Sequence, residues 1–210
     1  NFDFDILLTA HQHNTIPGQY LYNTYVVQLP YNAVKYLELN FKNNDDGSRE
    51  ISSEIKPVTL NPQKEMYDKF LPIENNVQEW IDLAIGYLDT SLYPEDHLTM
   101  ALEGSLISNF FNQVQLAECN ADISCICLGN KIKGINKNVT IRDILSTYIY
   151  PNTLVVLEVY RKHLKLALER CASYFDTSEG EIKISDEFLK PKVMHYEYDY
   201  FSNLTYTFDL

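Results

Sequence analysis

A continuous apolar run, Phe4-Asp5-Ile6-Leu7-Leu8-Thr9-Ala10, leads straight into His11-Gln12-His13. A run of this length reads as a strand covered on both faces, and the carboxyl end of such a strand is where an α/β sheet places its chemistry. The two imidazoles therefore stand where metal ligands would stand. Alternate residues of an extended segment point to opposite sides, so two histidines spaced i, i+2 suit two neighbouring ions, or a bent loop, better than one ion held from a straight strand. That geometry fits a two-metal centre.

Beyond this segment the chain divides by period. Tyr25–Leu29 and Val34–Phe41 are β-rich, Asn43-Asn44-Asp45-Asp46-Gly47-Ser48 is a polar turn, and a further strand is predicted around Ile51–Leu60. From Asn76 the apolar positions Val77, Trp80, Ile81, Ala84, Tyr87 and Leu88 recur at helical spacing, which predicts a helix of about four turns capped by Asn75 or Asn76 after Pro72. Ile107, Phe110, Phe111 and Val114 form another helical stripe. Ala121–Leu128 then reads as a buried strand. Thr140-x-x-Asp143 is the signature of a capping box, opening a short helix through Ile141, Ile144, Leu145 and Tyr148 that Pro151 ends. Thr153–Val159 is β-branched and strand-like, and Leu164, Leu168, Cys171 and Phe175 mark a last helix. The segments 1–62, 63–95 and 96–210 are read as the end of one domain, a linker helix region and a second domain.

Composition narrows the function. With 45% hydrophobic and 13% aromatic residues, 210 residues can bury a core. A formal charge of −12 argues against a nucleic-acid polymer as partner, because backbone binding depends on clustered Lys and Arg. Small phosphate esters stay open, since bound metals can supply local positive charge. Cys119, Cys125, Cys127 and Cys171 follow neither zinc-ribbon nor disulfide-framework spacing and read as inert thiols. No stretch approaches the roughly 20 apolar residues of a membrane span. An exported and a cytoplasmic location both remain open.

The stretch FDILLTAHQHNTIPG, with Tyr25-Val26-Val27-Gln28-Leu29-Pro30 after it, resembles the last metal-binding motif of the calcineurin-like metallophosphoesterases, written Gly-His-x-His, with Ala10 in place of the glycine. The resemblance implies that His11 ligates one ion of a dinuclear pair of divalent metals (Zn, Mn or similar) and His13 the other. It also implies that the remaining ligands, an Asp-x-His, a bridging Asp, an Asn-His pair and a further His, lie in an amino-terminal remainder of the same protein.

From LISNFFNQVQL through ADISCICLGNKIKGINKNVTIRDILSTYIYPNTLVVLEV and RKHLKLALERCASYF to PKVMHYEYDYFSNLTYTFDL, the rest resembles the carboxyl-terminal domain of the 5′-nucleotidase superfamily. Within it, ADISC, GINKNVTIRD, YIYPNTL and PKxxHYxYD look most like the bifunctional 2′,3′-cyclic-nucleotide 2′-phosphodiesterase/3′-nucleotidases. The implied fold class is α+β: the end of a metallophosphoesterase α/β sandwich, a linker helix and an α/β 5′-nucleotidase carboxyl-terminal domain. The implied ligands are nucleotides or nucleosides, with the base sandwiched between Tyr150 and Tyr198 and with Asn152 at its edge. Tyr148 and Phe201 are the nearest alternatives to those rings. Where the 5′-nucleotidases carry Gly-Gly-Ile-Arg, this chain has Gly129-Asn130-Lys131-Ile132-Lys133-Gly134. Lys133 is a point charge without the two-pronged fork of arginine, which favours 2′,3′-cyclic and 3′ nucleotides over 5′ nucleotides. A 5′-nucleotidase is the alternative within the superfamily, and a nucleoside-binding module without chemistry is the alternative outside enzymes.

Overall fold

Tyr25, Val26, Val27 and Gln28 are all buried, and the strand they form organises the first part of the chain. The computed structural model describes residues 4–210. It divides into two contact units, Asn1–Phe70 and Leu71–Leu210.

In the first unit, β1 (Ile6–Thr9) runs parallel to β3 (Thr24–Gln28), and β2 (Ile16–Leu21) pairs antiparallel on the other side, giving the order β1-β3-β2. β4 (Lys35–Asn43) and β5 (Arg49–Pro57) form a nine-rung hairpin from Lys35↔Pro57 to Asn43↔Arg49. Its turn is closed where Gly47 N–H donates to the Asn44 carbonyl at 3.0 Å, with φ of 82° at Gly47. Tyr25, Val27 and Ile51 are the buried centre, with Ile6, Leu37 and Leu39 against them. The Tyr25 and Ser53 hydroxyls are 2.8 Å apart and lie so close over Gly18 that a Cβ there would collide with both.

β1 differs from its sequence reading. Leu7 is 45% and Leu8 62% exposed, so the strand is not covered on both faces by the described residues. Its apolar run was read as a buried centre, but within this chain β1 is an edge of the sheet and β3 takes the middle.

The helix α1 (Lys64–Ile81) starts well before Asn76 and carries Pro72 inside it. Ala84–Tyr87, read as its continuation, is the strand β6, paired with β8 (Asn138–Thr140). Gly86 weakens helix in this stretch, and the ladder with β8 supplies the partner that decides the matter.

The second unit is built on α3 (Leu106–Glu118), whose Ile107 and Phe111 enter the core while Val114 stays outside. α3 packs on β7 (Ser124–Cys127) and β11 (Asp199–Ser202), an antiparallel pair. Asn112 ties all three: its Nδ2 donates to the Tyr200 carbonyl at 2.9 Å, and its Oδ1 accepts from the Ser124 hydroxyl at 2.7 Å. α2 (His97–Glu103), α4 (Ile141–Thr147), α5 (Arg161–Ala172) and the hairpin of β9 (Phe175–Ser178) with β10 (Glu181–Ile184) complete it. Phe175, read as helical, opens β9. The core includes Ile107, Ile135, Tyr174 and Phe188, each at most 1% exposed. Desolvation pushes the Cys125 thiol up to about 11 and also raises Cys127 and Cys171, so all three stay protonated at neutral pH. Among the described residues no helix is long and apolar enough to cross a membrane.

The capping box is present in full at α4, with the Thr140 side chain accepting from Asp143 N–H and the Asp143 carboxylate accepting from Thr140 N–H at 2.9 Å. The helix ends at Thr147, before Pro151. Thr153–Val159 forms no strand, and Val155, Val156 and Leu157 are exposed. β-branched composition makes a strand only where a partner supplies the ladder, and none of the described residues does so here.

Gly134 takes φ of 91°, and a Cβ there would stand 2.6 Å from the Leu92 carbonyl oxygen. Gly134→Ala should therefore cost about 1 to 3 kcal/mol, read as a lower urea midpoint with an unchanged denaturant slope. Asp143→Ala should cost about 1 kcal/mol or more by opening the cap.

Candidate functional site

The turn after β1 presents His11 and His13. His13 N–H donates to the Ala10 carbonyl at 3.0 Å, and His13 takes φ of 55°, so the pair lies in a bend rather than on an extended strand. Both side chains are exposed, and the His13 ring packs on Tyr31 with centroids 5.1 Å apart. The bend is pinned from beneath by Gln28, 2% exposed, whose Oε1 accepts from the Thr9 hydroxyl at 2.9 Å while its Nε2 donates to the Asn14 carbonyl at 2.9 Å. Imidazole nitrogen suits Zn²⁺ and similar transition-metal ions, so the donor chemistry fits such an ion. Two imidazoles are fewer than the three protein ligands of a typical catalytic zinc, and no group of three or more His, Cys, Asp or Glu is gathered among the described residues.

In the second unit, residues 148–152 leave α4 and form one wall of a small cleft. Tyr148 caps the helix, its N–H donating to the Ile144 carbonyl at 2.7 Å, and its ring packs on Phe111 with centroids 5.3 Å apart. Asn152 N–H donates to the Tyr150 carbonyl at 2.8 Å, a tight turn that lifts the Tyr150 ring to 59% exposure. Leu128, Gly129 and Tyr196 line the cleft with Tyr148, Tyr150 and Asn152.

Tyr198 does not belong to this group. It is 3% exposed, its ring packs against Tyr174, Phe175 and Tyr200 at centroid distances of 4.9, 5.7 and 5.0 Å, and its hydroxyl donates to the Ala101 carbonyl at 3.2 Å. The ring is thus packed into the core of the second unit and lies outside the cleft that Tyr150 and Asn152 line. Phe201 sits on β11 opposite Cys125 and packs on Tyr206, away from Tyr150. Lys133 and Lys131 are exposed in the loop after β7, and neither forms an ion pair among the described residues.

Sequence reasoning passed over Asn130, Tyr196, His97 and His195. Asn130 is a hub. Its Oδ1 accepts from His195 N–H at 2.9 Å, its Nδ2 donates to the Val193 carbonyl at 2.7 Å, and its own carbonyl accepts from His97 Nε2 at 3.2 Å. The signal for His195 and Tyr196 is the His-Tyr pair inside the PKxxHYxYD segment.

A family profile described as 5′-nucleotidase, C-terminal domain, matches residues 85–210. Among solved structures, a protein assigned as a 5′-nucleotidase from Staphylococcus aureus, in complex with alpha-ketoglutarate, is 29% identical with a TM-score of 0.80, over 94% of this chain and 39% of that one. A sulfate thiohydrolase from Thermus thermophilus, in complex with glycerol, is 16% identical with a TM-score of 0.42, over 80% of this chain and 32% of that one. No curated protein matches. The mixed α/β architecture of small sheets and helices is thus that of the Staphylococcus aureus structure, of which the chain spans about two fifths.

Tyr198→Ala should cost about 3 to 5 kcal/mol by emptying a packed site. Tyr150→Ala should stay within about 0.5 kcal/mol of the parent. Thermal unfolding of the two variants side by side checks the contrast.

Proposed function

Because this chain belongs to the 5′-nucleotidase C-terminal domain family, we propose that it is part of a phosphoric ester hydrolase acting on 2′,3′-cyclic and 3′ nucleotides. The observation that carries this reading is the solvent-facing Tyr150 ring beside Asn152, in a cleft inside the segment that the family profile matches. Tyr150 stacks on the nucleobase, and the Asn152 carboxamide, a donor and an acceptor at once, addresses its edge. Stacking accepts any base, so recognition is broad among nucleobases.

His11 and His13 would hold one divalent ion each, the other ligands coming from outside the described residues. Zn²⁺ or Mn²⁺, when bound, supplies Lewis acidity toward the phosphoryl group and acidifies bound water. The part played by this chain is to hold the nucleoside, to attract the phosphate with uncompensated lysines and to present the two imidazoles on a pinned turn. Lys131 and Lys133 offer single charges without the bidentate geometry that clamps a terminal 5′-phosphate, which supports the 2′,3′-cyclic and 3′ preference. The description of the Staphylococcus aureus protein favours a second reading, a 5′-nucleotidase of the same family.

Phosphate release by the full-length protein with added Mn²⁺ or Zn²⁺, from 2′,3′-cyclic AMP, 3′-AMP and 5′-AMP in parallel, decides between the two. Preference for the first two substrates upholds the proposal. Preference for 5′-AMP replaces it with the second reading, and release from none of them would refute both. Tyr150→Ala should raise KM about tenfold with kcat little changed. His11→Ala should lower bound metal and turnover together, and unchanged metal content would remove His11 from the ligand set.

A further inference from the structure

The imidazoles of His97 and His195 stack face to face, with centroids 3.9 Å apart and planes within 18°. Neither lies in the cleft, yet together they hold the segment that supplies one of its walls. His97 is the first residue of α2, and His195 opens the short helical turn His195–Glu197. Tyr196 in that turn lines the cleft that Tyr150 also lines, and Lys192 Nζ lies 5.7 Å from the Tyr196 ring centroid. We propose that the His97–His195 stack is an acid-sensitive clasp that positions Tyr196 as the wall of the cleft shared with Tyr150. The role of that wall in binding a nucleoside rests on the function proposed above.

Two features make the clasp sensitive. First, the stack requires that at least one ring be neutral, because two imidazolium ions at this separation repel strongly. Second, each ring is tied to the fold by a hydrogen bond. His97 Nε2 donates to the Asn130 carbonyl at 3.2 Å, and His195 Nδ1 is hydrogen-bonded to the Tyr174 hydroxyl at 2.6 Å. Once His195 is protonated both ring nitrogens carry protons, so the Tyr174 hydroxyl can only accept from Nδ1. Tyr174 is 1% exposed and wedged against Phe175, Phe188 and Tyr198, so the neighbourhood adapts little.

The charged groups around the pair leave it poorly compensated. Asp96, which accepts from Thr99 N–H at 3.0 Å and remains ionised well into acid, raises His97 somewhat, but burial dominates and lowers it. His195 is lowered to about 4, by burial first and by the His97 charge second. Burial, with Asp96 beyond, keeps the Tyr174 phenol protonated throughout. On the His195 turn itself, Glu197 is held by Arg170 at 2.6 Å, and Arg170 also holds Glu187 at 2.7 Å, so that carboxylate is already engaged. A histidine whose pKa falls on folding favours the folded arrangement fully above its ordinary value near 6.5 and loses that advantage as pH falls toward about 4. The clasp should therefore be closed at neutral pH and open progressively across that interval.

The test follows the His and Tyr ring resonances of the whole chain by NMR from about pH 7.5 to about pH 4, with adenosine binding measured at both ends. The expected result is that the Tyr196 resonances move with the His195 titration while adenosine affinity falls about tenfold. In His97→Asn, which removes the like charge, His195 should titrate at higher pH and carry the Tyr196 change with it. In His195→Gln, which keeps a hydrogen-bonding partner for Tyr174, the Tyr196 change should vanish. Tyr196 resonances indifferent to His195 protonation, or unaltered in their pH dependence by His97→Asn, would overturn the clasp. Should adenosine fail to bind even at neutral pH, the nucleoside reading falls, and the Tyr196 titration still decides the clasp.

Discussion

Two reciprocal main-chain hydrogen bonds, Leu92 N–H to the Ile135 carbonyl and Ile135 N–H to the Leu92 carbonyl, both at 2.8 Å, hold the loop between β7 and β8 onto the core of the second unit. Ile135 is fully buried, so its main-chain groups need protein partners, and Leu92 supplies both. The neighbouring residues follow from that contact. Gly134 must be glycine where the chain crosses Leu92, and its carbonyl accepts from the Thr147 hydroxyl at 2.7 Å, fixing the last turn of α4. Asn136 accepts from the Tyr93 hydroxyl at 2.6 Å and donates to Asp143 at 2.8 Å, fixing the first turn of the same helix. With both ends of α4 set, the exit at Tyr148–Asn152 follows, and it carries the exposed Tyr150 to the cleft.

The other end of the same loop sets the opposite wall through Asn130. One asparagine side chain meets Val193 and His195, and its carbonyl meets His97, so a residue between the two lysines and β7 governs where Tyr196 stands. Arg170 braces that segment from behind, forking to Glu187 and Glu197 with its guanidinium 4.3 Å over the Phe188 ring. The pairs are exposed and their energy in water is small, yet a planar fork over an aromatic face sets direction well. No buried side-chain polar atom among the described residues lacks a partner, which is what a network with one arrangement requires.

Some of this was readable from the residues alone. The α4 cap was legible because a capping box is local: Thr140 and Asp143 satisfy each other within one turn. β4, its Asn-Asp-Gly turn and β5 were legible for the same reason, since strand pairing across a short turn follows from neighbours in sequence. The misreadings share an opposite cause. Ala84–Tyr87 becomes a strand only because residues 138–140 lie beside it, and Phe175 leaves the helical pattern because β10 pairs with it as a strand.

The sequence by itself determined the class of small mixed sheets and helices, the local caps and turns, and the family to which residues 85–210 belong, since these reside in short-range patterns and motif order. The tertiary structure decided which tyrosines face solvent, which face the core, and that His97 and His195 meet. Those facts depend on contacts between residues far apart in the chain, where one aromatic side chain of alternating period looks like another until burial separates them.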